Sequence, residues 1–367
     1  YHFKSFKMKN FCVNPFYQKS LRRRSDFPCC WLDEIDDDYS HEKLRSDFDK
    51  GIKSKYCKTC WISESKGVPS KRIQDNKQLQ AHSKKSIETL YAERHKKITR
   101  SLQIATSNLC NLACKTCHVL DSTRWYAEHN HFNKDDIWKG TKQLDMTKIS
   151  DKDLLHLNSL EILGGEPFID SNHYSLLERL IFLGKNDMSI TYTTNGQQMP
   201  LPQLMKLLKK FRQVNISLSV DGTGSVFEYM RWPGKWQTTI ETMDKLKAIP
   251  NFELSVYSSI SNMNAFYFPE IVEWNIKNFS ITNWTYQTIQ YPEHFAPNIL
   301  PVEAKEIIKE KFLQHKYKKI IQPILDIVMM PYDKALLDKF KITVGNQDMF
   351  RKINAKDFVP EIVDYIH

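Results

Sequence analysis

Downstream of about residue 100, short runs of β-branched and apolar residues alternate with longer stretches whose apolar residues recur every three or four positions. The short runs predict buried β-strands, and the longer stretches predict helices that pack one face against a sheet. The predicted strands are Leu102–Thr106, Leu160–Leu163, Ser189–Thr193, Asn215–Val220, Glu253–Ile260 and Ile281–Gln287. The clearest helices between them are Tyr174–Leu183, Pro202–Phe211 and Trp236–Ala248. This alternation predicts an α/β fold with a parallel sheet.

Six strand–helix units predict a partial, TIM-like (β/α)6 barrel, with an open doubly wound sheet as the alternative architecture. Either fold places functional groups at the C-terminal ends of the strands. After about residue 300 the pattern becomes helical, most clearly at Val302–Phe312 and Ile320–Met330, and a packing role is expected there. The predicted domains are a small N-terminal cysteine-rich module over residues 1–99, the barrel over residues 100–295 and a helical C-terminal extension over residues 296–367.

The overall composition is that of an ordinary globular protein, with 41% hydrophobic and 26% charged residues. No stretch of the sequence approaches the roughly 18 consecutive apolar residues that a membrane helix requires. The N-terminal segment YHFKSFKMKNFCV has neither the apolar stretch nor the cleavage site of an export signal. We therefore expect a cytoplasmic protein with no membrane contact.

The net charge of +10 is confined to the N-terminal part of the chain. Residues 1–100 contain 23 Lys or Arg against 13 Asp or Glu, whereas the remaining residues contain 30 of each. The basic residues concentrate at Arg22, Arg23 and Arg24 and between Lys84 and Arg100. This surplus predicts either a surface for an acidic partner, such as a nucleic acid or an acidic peptide, or a solvated face that partly offsets a bound anionic cluster.

All eight cysteines precede residue 118, which favours metal binding or catalysis over a disulfide framework. Three of them, Cys110, Cys114 and Cys117, follow the first predicted barrel strand within eight residues. A cubane of four irons held by three thiolates leaves one iron open to an exogenous chelating molecule. The alternative is a zinc site completed by His118, although a ligand directly beside Cys117 would strain tetrahedral geometry.

A second motif, LEILGGEPFID, ends the second predicted strand and lies on the same rim as the cysteine loop. Gly164 and Gly165 allow a ligand to approach the backbone closely, and the carboxylate of Glu166 can accept a ligand ammonium. The chain contains only 11 glycines, so an adjacent pair at this position is informative. A ligand site at this rim is therefore predicted.

With this cysteine loop followed by GGEP, the sequence resembles the radical S-adenosylmethionine (SAM) superfamily over roughly residues 100–290. The resemblance implies a partial (β/α)6 barrel and a [4Fe-4S] cluster on Cys110, Cys114 and Cys117. It further implies that Gly164, Gly165 and Glu166 contact SAM. The chain departs from the family at Thr116, where an aromatic or large apolar residue near the adenine is usual.

Polar residues near the ends of the next predicted strands are candidate contacts for the SAM ribose or for the substrate, or ordinary caps of the following turns. They are Asn195, Ser217, Ser219, Asp221 and Arg231. Members of the family carry similar SVDG and YxRxP stretches, which favours Asp221 and Arg231.

Five cysteines lie in the N-terminal module, and four of them suffice for a tetrahedral zinc ion or a second, fully ligated iron–sulfur cluster. This part resembles the twitch or SPASM-like auxiliary modules of radical SAM proteins, some of which are carried by phages. The resemblance implies an auxiliary [4Fe-4S] cluster, with zinc as the alternative. The predicted ligands are Cys12, Cys29, Cys57 and Cys60, with Cys29 preferred to the adjacent Cys30.

These features predict an enzyme that reductively cleaves SAM to a 5′-deoxyadenosyl radical, which abstracts a hydrogen atom from a peptide or protein side chain. The alternatives are a nucleotide, nucleic acid, sugar or other small-molecule substrate, and a non-catalytic zinc protein that binds nucleic acid. The radical chemistry also calls for an external electron donor such as flavodoxin or ferredoxin.

Overall fold

The computed structural model describes residues 8–21, 26–29, 31–32, 35–280 and 283–367. Its β-strands form a single eight-stranded sheet. They are β1 Gln18–Leu21, β2 Asp26–Phe27, β3 Ser101–Ala105, β4 Ser159–Leu163, β5 Ser189–Thr194, β6 Gln213–Ser219, β7 Phe252–Ile260 and β8 Trp284–Thr288.

The strand order is β2-β1-β3-β4-β5-β6-β7-β8, and all neighbours are parallel except the edge pair of β1 and β2. From β3 to β8 each strand lies beside its predecessor in the chain, without the reversal of strand order that defines a doubly wound sheet. The seven parallel strands curl into a half-barrel. The predicted α/β fold with a partial barrel is thus confirmed, and the doubly wound alternative is wrong.

The hydrophobic pattern places the strands correctly because their side chains alternate between the two faces of the sheet. In β5, for example, Ile190 and Tyr192 are fully buried in the central core. The largest difference is the last predicted strand, Ile281–Gln287, which the structure has as Trp284–Thr288. Residues 281 and 282 lie outside the described residues.

Helices cover the sheet and form the C-terminal part. The α-helices are Asn14–Tyr17, His41–Lys50, Lys58–Ser65, Lys71–Ser83, Ile87–Glu93, Tyr126–Phe132, Asp151–Leu155, Tyr174–Phe182, Pro202–Leu208, Gly224–Met230, Trp236–Lys247, Phe268–Asn278, Val302–Gln314, Lys318–Val328, Lys334–Arg351 and Val363–Ile366. Short 3-10 helices occur at Lys55–Cys57, Arg94–Lys96, Thr123–Trp125, Met146–Lys148, Ala265–Tyr267, Glu293–Phe295 and Ala355–Asp357. Within the described residues, no helix combines the length and the apolar character needed to span a membrane.

The N-terminal module has a small apolar core of its own, which includes Phe11, Phe16, Leu44 and Phe48. It is also joined to the barrel, because β1 pairs in parallel with β3 over four residues. The hydrophobic pattern did not predict this short strand. Arg22, Arg23 and Arg24 lie outside the described residues, so the predicted basic surface is described only in part.

The C-terminal helices pack in two places: Val302–Gln314 and Lys318–Val328 join the central core, and Lys334–Arg351 packs beside the loop region after β6. Leu337, Phe340 and Val344 of helix Lys334–Arg351 share a buried cluster with Tyr229 and Met230. These two residues end helix Gly224–Met230, which follows β6. The last long helix of the chain therefore lies behind the rim on which the functional residues were predicted.

Candidate functional site

A cavity of about 860 Å³ opens at the C-terminal ends of the barrel strands. Nine of the predicted site residues line it, and they come from loops that are distant in sequence. These residues are Cys110, Cys114, Cys117, Gly164, Gly165, Asn195, Ser219, Asp221 and Arg231. Two other predicted site residues of the barrel, Glu166 and Ser217, are not among the lining residues.

The cysteine loop is held in place by hydrogen bonds to its backbone from the surrounding loops. The amides of Ala113 and Lys115 donate to the carbonyls of Trp232 and Met230 at 2.7 and 2.8 Å. The indole of Trp125 donates to the carbonyl of Cys114 at 3.2 Å. The loop therefore has a defined conformation that turns three thiols toward the cavity.

The three cysteines are half-buried at the cavity wall. Burial raises the pKa of Cys110 to about 12 and raises the pKa of Cys114 and Cys117 as well. For Cys114, the nearby guanidinium of Arg231 opposes this rise in pKa. A bound metal centre supplies the positive charge that stabilises buried thiolates, as expected for metal-ligating cysteines.

The two glycines of the GGEP motif are needed because this loop packs against the cysteine loop. The amides of Gly165 and Glu166 donate to the carbonyls of Ser107 and Leu109 at 2.7 and 2.8 Å. A Cβ atom on Gly165 would lie 2.2 Å from the Leu109 carbonyl oxygen. Gly164 has a φ of +146°, which side-chain-bearing residues rarely adopt. The pair thus brings two cavity-lining loops into direct contact.

The carboxylate of Glu166 connects the loops that follow β4 and β5. It is 1% exposed and accepts hydrogen bonds from the amides of Phe168 and Asn195 at 3.0 and 2.7 Å. The hydroxyl of Thr194 donates a third bond at 2.8 Å. Burial raises the pKa of Glu166, and these bonds oppose that rise. The structure shows a loop-fixing role, and the contact with the SAM ammonium stays a prediction.

Asn195 and Arg231 both lie beside the cysteine loop. The amide of Asn195 donates to Asn111 Oδ1 at 2.7 Å and lies 4.0 Å from Cys110 Sγ. Arg231 pairs with Asp221 at 2.8 Å and places Nη1 3.9 Å from Cys114 Sγ. The buried Nε atom of Arg231 has no hydrogen-bond partner among the described residues. Polar groups therefore surround two of the three cysteines.

The predicted N-terminal ligands also come together. A second, narrow cavity of about 10 Å³ is lined by Cys12, Cys29, Cys57 and Cys60. Burial raises the pKa of Cys60 to about 11 and that of Cys12 further. Cys30, the alternative to Cys29, lies outside the described residues.

The two cavities share a wall. Trp31 and Leu32 line both the large cavity and the narrow four-cysteine cavity. The N-terminal module further contributes Lys58, Thr59 and Ile62 to the large cavity. Sequence reasoning missed these contacts, because no local signal indicates that the N-terminal module closes over the barrel rim.

A further group of lining residues follows β8, at the opposite edge of the sheet. The segment from Gln287 to Glu293 lines the cavity, and its Tyr291 is 82% exposed at the mouth. Leu336 of the C-terminal extension also reaches the cavity. This segment contains no residue type that a chemical motif would single out.

The site residues fit the cofactors that the sequence implies. Three thiols open onto a cavity whose volume is typical of small-molecule sites. The backbone of Gly164 and Gly165 forms part of its wall, where a ligand can approach closely. In the part of the chain that is described, no three His, Cys, Asp or Glu side chains converge closely enough to hold a single metal ion.

Comparison with known proteins agrees with this geometry. Residues 104–264 match the family model of the Radical SAM superfamily. The "Probable GTP 3′,8-cyclase" of Methanocaldococcus jannaschii is 24% identical over 248 residues, which cover 64% of this chain and 78% of that protein. The matched region contains both the cysteine loop and the GGEP motif, which agrees with the family resemblance of these two motifs.

Two solved structures show partial similarity to this chain. Native anSMEcpe with bound AdoMet has a TM-score of 0.42 and 13% identity over 60% of this chain and 62% of that chain. Streptococcus suis SuiB bound to precursor peptide SuiA has a TM-score of 0.38 and 15% identity over 73% of this chain and 52% of that chain. The chain thus covers less than two thirds of the length of either structure.

Proposed function

We propose that this protein is a radical SAM enzyme that abstracts a hydrogen atom from a peptide or protein side chain. When bound, the [4Fe-4S] cluster and SAM together supply the electron and the 5′-deoxyadenosyl radical for this step. One observation carries the proposal: the three cysteines, the glycine pair and four of the five polar strand-end residues line one cavity.

The chain's own residues hold and orient these groups. Cys110, Cys114 and Cys117 are the proposed cluster ligands. Gly164 and Gly165 present backbone to SAM, while Glu166 fixes the loop that carries Asn195. Asp221 and Arg231 form an ion pair with side chains 3% and 12% exposed, so both are held rigidly at the cavity wall. Such preorganised groups position a ligand without rearranging when it binds.

The N-terminal cysteines are the proposed ligands of an auxiliary [4Fe-4S] cluster, with zinc as the alternative. All four thiols line one narrow cavity, which suits a metal centre without an open coordination position. We favour the cluster because this part of the chain resembles the auxiliary modules of radical SAM proteins. The shared wall of Trp31 and Leu32 then places this cluster next to the substrate cavity.

The charge of the cavity favours a peptide over a nucleoside triphosphate. The described residues that line the cavity include two cations, Lys58 and Arg231, in addition to His118. Arg231 is paired with Asp221. Asp121 and Glu293 add further negative charge. A triphosphate concentrates several negative charges and calls for a cluster of cations. A nucleotide substrate, which the name of the Methanocaldococcus relative suggests, therefore remains the second candidate.

Apolar residues from both ends of the chain add apolar surface to the cavity wall. Leu32 and Ile62 come from the N-terminal module, and Ile289, Ile299 and Leu336 come from the C-terminal half of the chain. Apolar walls with a few oriented polar groups are typical of sites that enclose a small organic group. This arrangement supports an amino-acid side chain as the group that enters.

The proposed electron donor is an acidic carrier such as flavodoxin or ferredoxin in the cytoplasm. The described part of the N-terminal module presents exposed lysines, among them Lys50, Lys53, Lys77 and Lys97. Such a surface accelerates the encounter with an acidic protein or nucleic acid and loses this effect at high salt.

The substrate class can be tested with isotopes. The anaerobically reconstituted full chain is reduced with dithionite and incubated with SAM and a pool of deuterated peptides, or with a pool of deuterated nucleotides. We expect deuterium in 5′-deoxyadenosine with the peptide pool only. Deuterium transfer from the nucleotide pool alone would reject the peptide assignment, and formation of no 5′-deoxyadenosine in either pool would reject the enzyme.

A further inference from the structure

Lys115 lies between two proposed cluster ligands, yet its side chain points away from the cavity. It is fully buried and is not among the residues that line the cavity. Its ammonium forms an ion pair with Asp348 of helix Lys334–Arg351, 233 residues later in the chain. The carboxylate of Asp348 is itself 5% exposed. The ammonium of Lys115 thus pairs with a residue of the C-terminal helix and does not face the cavity.

Asp348 is held by further partners on the same side of the loop. The hydroxyl of Tyr229 donates to Asp348 Oδ2 at 2.8 Å, and His367 Nε2 lies 2.9 Å from the same oxygen. The Lys115 ammonium also lies 4.3 Å from the centre of the Tyr229 ring. The ion pair is therefore part of a packed network and is not an isolated surface contact.

The same helix contacts the cysteine loop directly at one more point and indirectly, through Trp125, at another. Gln347 Nε2 donates to the carbonyl of Lys115 at 3.1 Å, which fixes the loop backbone directly. One turn away, Arg351 pairs with Glu128 at 2.8 Å, and their side chains are 0% and 5% exposed. The guanidinium of Arg351 also lies against Trp125, whose indole donates to the carbonyl of Cys114.

From these contacts we infer that helix Lys334–Arg351 clamps the cluster-binding loop, and that Asp348 is a positioning residue for it. Buried ion pairs are costly to break by removing one partner, because the other charge stays behind without compensation. Groups that orient metal ligands from behind affect affinity and redox behaviour without touching the metal. The inference rests on the proposed function only in taking Cys110, Cys114 and Cys117 as cluster ligands.

The test compares three variants of the full chain, each reconstituted anaerobically. Asp348→Asn removes the negative charge of the Asp348 side chain and keeps the size of that side chain. Gln347→Met removes the bond to the loop backbone and leaves the ion pairs intact. Asp338→Asn is the matched control, because Asp338 is an exposed aspartate on the same helix. Hydrogen exchange by mass spectrometry follows residues 110–118, and EPR follows the reduced cluster with SAM present.

In Asp348→Asn, we expect amide exchange over residues 110–118 to accelerate by at least about tenfold and the EPR spectrum to change. In Gln347→Met, we expect a two- to tenfold acceleration, about the effect of one lost hydrogen bond. The control and the exchange of residues 55–62 should match the wild type. A purely structural role for the helix would alter exchange throughout the barrel without a selective effect on this loop.

Wild-type exchange over residues 110–118 and an unchanged EPR spectrum in Asp348→Asn would overturn the clamp. If Asp348→Asn does not fold, Gln347→Met decides: selective acceleration in the loop supports the clamp, and wild-type exchange rejects it. A wild-type protein without any iron–sulfur cluster would instead reject the proposed function, while the exchange data would still report on the clamp.

Discussion

The two cysteine sites differ in what surrounds them. Cys110, Cys114 and Cys117 open onto a cavity of about 860 Å³ with polar groups such as Asn195 and Arg231 on its wall. The four N-terminal cysteines line a void of about 10 Å³ among apolar side chains that include Leu44 and Phe48. The first site has three thiols and room for an exogenous molecule, whereas the second has four thiols and no such room. The two sites thus differ in openness as well as in the number of cysteines.

The sites also differ in how the chain assembles them. The barrel cysteines lie on one loop of eight residues, which neighbouring loops and the C-terminal helix hold by its backbone. The N-terminal cysteines come from separate segments, and Cys57 directly precedes helix Lys58–Ser65, which carries Cys60. The first site therefore depends on the barrel, and the second depends on the small core of its own module.

The largest effect is expected when the barrel ligands are removed. Replacing Cys110, Cys114 and Cys117 together by Ala should lower iron from about eight to about four atoms per chain, because one cubane is lost. SAM cleavage should cease, since the only iron with an open coordination position is absent. Iron analysis and chromatography of 5′-deoxyadenosine measure the two outcomes. A variant with no iron and one zinc per chain would show that the N-terminal site is a zinc site.

Removing N-terminal ligands should spare SAM cleavage and abolish turnover of the substrate. Cys57→Ala with Cys60→Ala should also lower iron to about four atoms per chain, yet leave cleavage of SAM to 5′-deoxyadenosine largely intact. Turnover of the substrate should fail, because the four-cysteine site adjoins the substrate cavity. Cys30→Ala is the matched control and should retain all the iron, whereas Cys29→Ala should not. Equal loss in both single variants would contradict the assignment of Cys29.

The contact between the GGEP loop and the cysteine loop can be tested through stability. A methyl group on Gly165 would clash with the backbone of Leu109, which no side-chain rotation relieves. Gly165→Ala should therefore lower the free energy of unfolding by about 1–3 kcal/mol and weaken SAM binding. Gly345→Ala is the control, because nothing lies within 4 Å of its added methyl group in helix Lys334–Arg351. Gly345→Ala should raise the free energy of unfolding by about 0.5–1 kcal/mol. Destabilisation of both variants would contradict a specific role for Gly165.

An effect confined to one site is expected behind the N-terminal cysteines. Arg72 forms a bidentate pair with Glu64 at 2.9 and 2.7 Å and lies over the ring of Trp61. Arg72→Met should reduce stability by about 1–3 kcal/mol and speed the release of iron from this site to a chelator. SAM cleavage should be unchanged. Lys77→Met, an exposed position on the same helix, should behave as the wild type. Faster release from the barrel site would contradict the independence of the two sites.

The features that could be predicted from the sequence are those whose residues lie close together in the chain. The cysteine loop and the GGEP motif follow successive strands, so periodicity alone brings both to one rim. The four N-terminal ligands were predicted as a set because each candidate is a cysteine. The structure places all four around a common cavity, and their role as ligands stays a prediction.

Contacts between distant segments were not predictable from local patterns. Lys115 and Asp348 resemble ordinary surface charges in the sequence, and only the packing of the C-terminal helix buries both. Glu166 was predicted to face a ligand, whereas the structure shows its carboxylate bonded to neighbouring loops. Strand β1 was missed because four residues are too few to show a clear alternation.

One anaerobic reaction tests the proposed radical SAM activity most directly. The reconstituted full chain is reduced with dithionite, mixed with SAM and analysed for iron, acid-labile sulfide and 5′-deoxyadenosine. We predict an iron–sulfur protein that forms 5′-deoxyadenosine, and no formation by the Cys110, Cys114 and Cys117 triple variant. A colourless wild-type protein that contains zinc, or a cluster that leaves SAM intact, would contradict the central claim.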